Sequence, residues 1–244
     1  MTHVGLKEQL QKVLDPFGFE VYPFKIGWYN AVLEPTFYLS YNEDTLAFVI
    51  LSTPSMFEKA FKPFLNEQKL EHVRDPIDQC VAYHMSLVKE VFPCYKLDII
   101  YDYELHPNRR PKVLMQTAAH ISGATYYYQR KDVQHDPWGD KKIYGVCIHP
   151  QFGGWFAIRA VLVFTEVQAP ALEHTLPLDC LPSHEQRIQL LEQFNFNWKD
   201  GKYRDVFPPK EKYSPEQTLY FATPPAERRK LLETWGQLHS SPAC

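Results

Sequence analysis

Leu6, Leu10, Val13 and Leu14 recur at helical spacing among lysines and glutamates, which predicts an amphipathic helix over residues 1–15. An aromatic stretch from Phe17 to Tyr38 follows, broken by Gly18, Pro23, Gly27 and Pro35, and reads as short strands and turns. The unbroken apolar run Leu46 to Leu51 predicts a buried strand. After it, Ser52 to Ser55 opens a helix reaching about Glu67, with Phe57, Phe61 and Leu65 on one face and a stop or kink expected at Pro63. Asp75 before Pro76 marks the start of a second helix through Val91.

Lys96 to Glu104 reads as a strand, and the residues from His106 to Pro111 as a loop stiffened by two prolines. Val113 to Ala124, rich in small residues, predicts a helix ending at Gly123. Tyr126, Tyr127 and Tyr128 suit a strand edge facing both ways. Two further strands are expected at 143–149 and 155–164, joined by a tight hairpin over Pro150 to Gly154. Beyond Phe164 the texture changes. A loop over 167–182 precedes helices at 183–194 and 224–236, which suggests a C-terminal segment wrapped around a core. At roughly 150 residues per domain, 244 residues fit one elaborated α+β domain, with a core to about residue 165 and the wrapping segment over 166–244.

Composition adds an aromatic excess, with 15 Tyr, 16 Phe and 5 Trp, and stiff loops, with 20 prolines against 10 glycines. The formal charge of −3 carries no extended basic stripe, so nucleic acid is not an expected partner. Arg109, Arg110 and Lys112 read as a solvated loop or a single anion site. Five cysteines without a CxxC point to a reducing compartment. With no leader pattern and no apolar run near the ~20 residues of a membrane span, the chain reads as cytoplasmic.

Candidate chemistry is sparse. Dinucleotide, P-loop, His-Glu-x-x-His and Gly-x-Ser-x-Gly motifs are missing. Cys147 and His149 share a strand face as a metal pair would, but no second pair at ligand spacing accompanies them. His120, in the small-residue helix, reads as a hydrogen-bonded core histidine before a cobalt ligand. Arg159 interrupts an apolar strand, and such a charge is costly unless paired, so it requires an internal carboxylate or the carboxylate or phosphate of a ligand. Arg204 and Arg228 are further anion hooks.

The runs Pro16 to Phe24, Asp78 to His84, His106 to Pro111, Tyr126 to Arg130, Gly145 to Pro150 and Phe152 to Arg159 resemble one family across nearly the whole chain. It is the CblC family of cobalamin-processing proteins, the methylmalonic aciduria and homocystinuria type C family. The resemblance implies an α+β fold similar to flavin-dependent nitroreductases: an antiparallel sheet flanked by helices, with a cap subdomain. It implies base-off binding of cobalamin, reductive removal of cyanide with reduced flavin (FMN or FAD), and transfer of alkyl groups to glutathione.

The family's cobalamin contacts fall on Asp102, Val113, Leu114, Met115, Gln116, Tyr127, Tyr128, Gln129, Cys147 and Ile158, with Tyr127 and Tyr128 expected first in the wall of a corrin-sized cavity. Its glutathione arginines fall on Arg159, Arg204 and Arg228. Cys147 then reads as pocket wall, and no protein ligand to cobalt is expected. The implied partners are the CblD protein, methionine synthase and its reductase, and an NADPH-dependent flavoprotein reductase; monomer and homodimer both remain open. A non-catalytic cobalamin carrier and a flavin reductase are the competing readings.

Overall fold

In the computed structural model, which describes residues 3–67 and 75–235, helices and antiparallel strands are mixed along the chain. The strands are β1 (Phe19–Lys25), β2 (Thr45–Ser52), β3 (Leu97–Tyr101), β4 (Tyr126–Tyr128), β5 (Val146–Ile148) and β6 (Ala157–Gln168). The helices are α1 (His3–Leu14), α2 (Ile26–Asn30), α3 (Lys62–Glu67), α4 (Pro76–Val91), α5 (Met115–Ile121), α6 (His184–Asn197), α7 (Pro215–Ala222) and α8 (Pro225–Thr234). Four strands make the main sheet in the order β1-β2-β6-β3, every neighbouring pair antiparallel. β4 and β5 form a separate antiparallel ribbon.

The period of two along β2 and β6 sorts their side chains into two cores. Leu46, Phe48 and Ile50 join Ala160, Leu162 and Phe164 on one face, beneath Leu6, Leu10 and Leu14 of α1 and Cys80, Val81, Met85 and Val88 of α4. Ala47, Val49, Leu51, Val161 and Val163 take the other face with Ala118 and Ala119 of α5, whose small side chains let that helix lie close to the sheet. β2 is buried along its whole length, as its unbroken apolar run requires. Each fully buried Leu or Phe contributes about 1.5–3 kcal/mol relative to exposure. Tyr128, Val146 and Ile148 of the ribbon pack with Leu190 and Leu191 of α6 in a third cluster.

Several expected elements are met closely. The Asp75 carboxylate accepts the Ile77 N–H at 3.2 Å and opens α4. Gly123 takes φ +78° just past α5, where only a residue without Cβ is unstrained. The three tyrosines of β4 do face both ways, Tyr127 toward α5 and Tyr126 and Tyr128 toward the third cluster.

Other expectations change. The helix after Ser55 neither stops nor breaks at Pro63: a wide turn over Phe57–Phe61, closed by the Lys62 N–H on the Phe57 carbonyl, precedes α3. The wide turn relieves the crowding a proline ring imposes on the carbonyl four residues back. The expected hairpin between 143–149 and 155–164 is absent. His149 and Gly153 do close a turn with two mutual backbone hydrogen bonds of 2.8 and 3.0 Å, but β5 leaves it for the ribbon and β6 for the centre of the main sheet. α7, unforeseen, puts Tyr220 into the first core, and α8 ends at Thr234, so Gly236 of the expected 224–236 helix lies outside the described residues.

Candidate functional site

The register of β6 against β2 shifts at two points, and the second of them matters here. Ile50 pairs with Ala160 and Leu51 with Ile158, leaving Arg159 as an extra residue without a partner on β2. A bulge of this kind re-aims a side chain. Strict alternation would send Arg159 with Val161 toward α5; instead its Nε donates to Ser52 Oγ at 2.8 Å and its guanidinium lies 6.0 Å from the centroid of Phe221, on the α4 side. Arg159 is 6% exposed, and among the described residues no carboxylate forms an ion pair with it. Of the two kinds of partner the sequence allows, an internal carboxylate is present only at longer range, in Asp78 and Asp102.

Arg228 of α8 reaches the same ring. Its guanidinium lies 5.8 Å from Phe221 and 4.9 Å from Tyr220, its Nε donates to the Thr223 carbonyl at 3.1 Å, and its Nη1 meets Asp75 Oδ2 at 3.4 Å. Arg204 stands among Trp155, Tyr203 and Tyr213 at 5.3, 5.1 and 5.4 Å, with Nη1 donating to the Gly154 carbonyl. Tyr213 and Phe221 pack with centroids 5.4 Å apart. One aromatic ladder thus joins all three arginines, each held by ring faces and neutral oxygens with at most a long contact to a carboxylate. Guanidinium groups so placed keep donor capacity for an anion.

Gly153 and Gly154 explain why Arg204 can stand there. The Gly154 N–H donates to the Arg204 carbonyl at 3.0 Å. A Cβ on Gly153, at φ +57°, would lie 2.5 Å from that carbonyl, and one on Gly154 would lie 2.8 Å from Arg204 Cα.

Carboxylates rim the cluster. Asp78, in the first turn of α4, is pushed up to about 6 by burial first and then by Asp75 and Asp102, against the pull of Arg159 and Arg228. Desolvation also raises Asp102, opposed by Arg159. Behind them the Cys80 thiol is pushed up to about 12 by burial, so it is a neutral thiol at pH 7.

The residues expected to contact cobalamin divide. Val113, Leu114, Met115, Tyr127, Cys147 and Ile158 belong to one apolar cluster on the α5 side of the sheet, and Tyr127 faces Cys147 across the ribbon. Leu114 N–H donates to the Tyr29 hydroxyl at 2.9 Å, and Cys147 Sγ points at the Gln116 carbonyl at 3.8 Å. Burial pushes the Cys147 thiol up to about 12. Tyr127 and Gln129 line a cavity of about 290 Å³ with Val32, Leu33, Thr117 and His120. Gln116 and Asp102 are exposed.

Tyr128 departs from its expected place in a cavity wall. Its side chain is fully buried, donates to Asp179 Oδ1 at 2.7 Å and accepts the Leu181 N–H at 2.8 Å, so it fastens the segment before α6 to the ribbon. Only its backbone is left for a ligand.

The two candidate histidines are occupied. His120 Nδ1 accepts the Tyr127 N–H at 3.1 Å, and burial lowers its pKa. His149 accepts the N–H groups of Gln151 and Phe152 on Nδ1, at 3.0 and 3.3 Å, and meets Glu20 with Nε2 at 3.1 Å. Cys147 and His149 therefore serve separate partners, and among the described residues no three His, Cys, Asp or Glu side chains gather as metal ligands. Arg110 binds the Thr36 carbonyl and Lys112 pairs with Glu104, as a solvated loop would.

Sequence reasoning missed Ser52, Asp78, Tyr213 and Phe221. Asp78 carried a signal, an acid in the first helical turn inside one of the recognisable runs; the two rings lay in a tail without periodic pattern.

The sequence model described as the methylmalonic aciduria and homocystinuria type C family matches residues 18–232. A Gallus gallus protein named cyanocobalamin reductase / alkylcobalamin dealkylase is 63% identical over 225 residues, 92% of this chain and 94% of its own length. A Homo sapiens protein of the same name is 56% identical over 227 residues, 93% of this chain and 80% of its own. Among solved structures, a C. elegans B12-trafficking protein CblC superposes with a TM-score of 0.84 at 36% identity, covering 96% of this chain and 97% of that one.

Proposed function

The chain belongs to the methylmalonic aciduria and homocystinuria type C family, and from that premise we propose that it processes cobalamin, as a cyanocobalamin reductase and glutathione-dependent alkylcobalamin dealkylase. The observation that carries the thiol-transfer half is the convergence of Arg159, Arg204 and Arg228 on the Tyr213–Phe221 ladder. Glutathione brings two carboxylates, and planar guanidinium forks match carboxylates in pairs. The same positive field favours the thiolate over the thiol.

Cobalamin, the substrate, rests in this reading against Val113, Leu114, Met115, Gln116, Tyr127, Gln129, Cys147 and Ile158, with the backbone of Tyr128 and with Asp102 at the rim. Ile158 and Arg159 are adjacent, and the bulge sends the first to the apolar cluster and the second to the arginine cluster. A substrate spanning this strand end would present its upper face to the thiol. Base-off binding removes an axial nitrogen from cobalt, which makes the metal easier to reduce and the alkyl group easier to displace. The thiolate attacks the alkyl carbon in line; the S–C bond forms as the C–Co bond breaks, and its electron pair stays on the cobalt as Co(I).

Cyanide removal draws its electrons from reduced flavin, FMN or FAD. None of the described helices opens with a glycine-rich turn that could cradle a flavin phosphate. The electrons come, in this reading, from an NADPH-dependent flavoprotein partner. The mixed helical and antiparallel architecture is compatible with a nitroreductase-like core to about residue 165, with the segment 166–244 wrapped around it and supplying Arg204 and Arg228. Delivery through the CblD protein to methionine synthase, and a cytoplasmic location, complete the proposal; no described helix is long and apolar enough to cross a membrane.

The test is an anaerobic titration of the pure protein with methylcobalamin, with and without glutathione. A base-off absorption spectrum on binding, then Co(I) or Co(II) absorption and S-methylglutathione after thiol addition, is the expected result. Binding without thioether would make the protein a carrier, and no binding would remove cobalamin from the reading.

A further inference from the structure

The three arginines answer the carboxylates of a tripeptide thiol, but such a molecule also carries an α-ammonium group, and an ammonium leaving water needs a carboxylate. Four carboxylates stand at the arginine cluster, and Asp205 is committed to Trp155 Nε1 and Lys212. Asp75 is committed: one oxygen caps α4 on the Ile77 N–H and the other meets Arg228. Asp102 is exposed just past the end of β3, where water can serve it, and it belongs to the cobalamin reading. Asp78 has no hydrogen bond and no ion pair among the described residues, although it is only partly exposed and lies one turn from Asp75, at the helix end that meets Arg228.

Its position in the chain does not account for this. Asp78 is the third residue of α4, where a carboxylate commonly reaches back to the N–H of the capping residue. Here that contact is not made. An acid serving only the helix dipole would be held below the usual carboxylate range, whereas its surroundings push this one up. A second polar group at the same spot is poorly satisfied. The Tyr220 hydroxyl is fully buried beside Arg228, makes at most a poorly aligned hydrogen bond to it, and has Asp75 and Asp78 as its other charged neighbours. Arg159, 94% buried on its 6% exposure, uses only Nε.

We propose that Asp78 receives the α-ammonium of the thiol co-substrate, so that Asp78 and Arg228 together grip an α-amino-acid head group while Arg159 and Arg204 meet the rest of the molecule. The inference rests on the glutathione reading of the arginine cluster and adds a specificity-determining residue to it. The γ-glutamyl end of glutathione is an α-amino acid with free ammonium and carboxylate on one carbon, the pattern that an Asp–Arg pair recognises and a plain thiol lacks.

The experiment compares two co-substrates with the intact protein and methylcobalamin under anaerobic conditions: glutathione, and glutaryl-cysteinyl-glycine, which keeps both carboxylates and the thiol but lacks the ammonium. A hydrogen-bonded charge pair of this type corresponds to about a tenfold to hundredfold effect on KM. Wild-type protein should show that loss with the des-amino thiol, with kcat changed less than about threefold. Asp78→Asn should show the same KM increase for glutathione and no further loss for the des-amino thiol. Equal use of the two thiols by the wild type overturns the inference alone, even if the variant fails to fold. An additive loss, in which Asp78→Asn weakens both thiols alike, also overturns it. Formation of no thioether from either thiol overturns the reading of the cluster and the inference with it.

Discussion

Arg159 and Arg228 share a ring: their guanidinium carbons lie 6.0 and 5.8 Å from the centroid of Phe221. One arrives from a bulge in the central strand and the other from the last helix described, so neither their separation in sequence nor their local pattern announces the meeting. Two like charges converge there because the ring's negative faces and the carboxylates Asp75, Asp78 and Asp102 offset their repulsion.

Phe221→Leu keeps apolar volume and removes the ring. Each cation–ring contact is worth about 0.5–2 kcal/mol, so the KM for glutathione should rise roughly tenfold while cobalamin affinity stays within about threefold. Steady-state dealkylation kinetics beside a cobalamin titration check this. Parallel losses in both would show that Phe221 only supports the fold.

Asp78 makes the free protein less stable at neutral pH. Its folded-state pKa, about 6, lies above the ordinary carboxylate value, so the folded state binds its proton more tightly than the unfolded chain does. That contribution to stability is present at low pH and disappears as pH rises through about 6. Asp78→Asn should therefore stabilise the unliganded protein at pH 7 by about 1 kcal/mol, after discounting for partial exposure, and by clearly less at pH 5. Urea melts at the two pH values read this directly; a destabilised variant at pH 7 would contradict it.

Gly153→Ala sets a Cβ against the Arg204 carbonyl and forces a left-handed conformation on a residue with a side chain. The cost should be about 1–3 kcal/mol, accompanied by loss of dealkylation through displaced Arg204. Thermal melts and product formation measure the two effects. Gly139→Ala, also at positive φ but with open space around its Cβ, is the control for backbone strain alone and should leave dealkylation unchanged.

Cys147, Cys80 and Cys180 are buried and their thiols are raised by that burial, whereas Cys94 is exposed. Alkylation of the native protein with iodoacetamide at pH 7.5, mapped by mass spectrometry, should modify Cys94 and spare the other three. Early labelling of Cys147 would contradict its place in the apolar cluster.

The local patterns predict local structure well. The unbroken run of β2, the Leu6–Leu10–Leu14 stripe of α1 and the Asp75–Pro76 start of α4 each carry their own physical reason, and each is found where expected. What failed was pairing. The turn at His149–Gly153 is legible, but which strands leave it as partners depends on the rest of the sheet. The site divides the same way. Arg159 stands out because a charge inside an apolar strand needs a reason, yet the bulge that turns it toward α4 has no local signature. Tyr128 misled because identical neighbouring side chains point to opposite faces, and the third tyrosine went to a core.

An arginine cluster that serves the thiol and not the corrin separates methyl transfer from cobalamin binding. Wild-type protein and Arg159→Ala are to be loaded with methylcobalamin without oxygen, their cobalamin dissociation constants measured, and S-methylglutathione formation then followed. The expected result is a dissociation constant within about threefold of wild type and a rate of methyl transfer at least about a hundredfold lower, the scale of losing a charged hydrogen-bonding group. Equal loss of cobalamin binding and methyl transfer would contradict it.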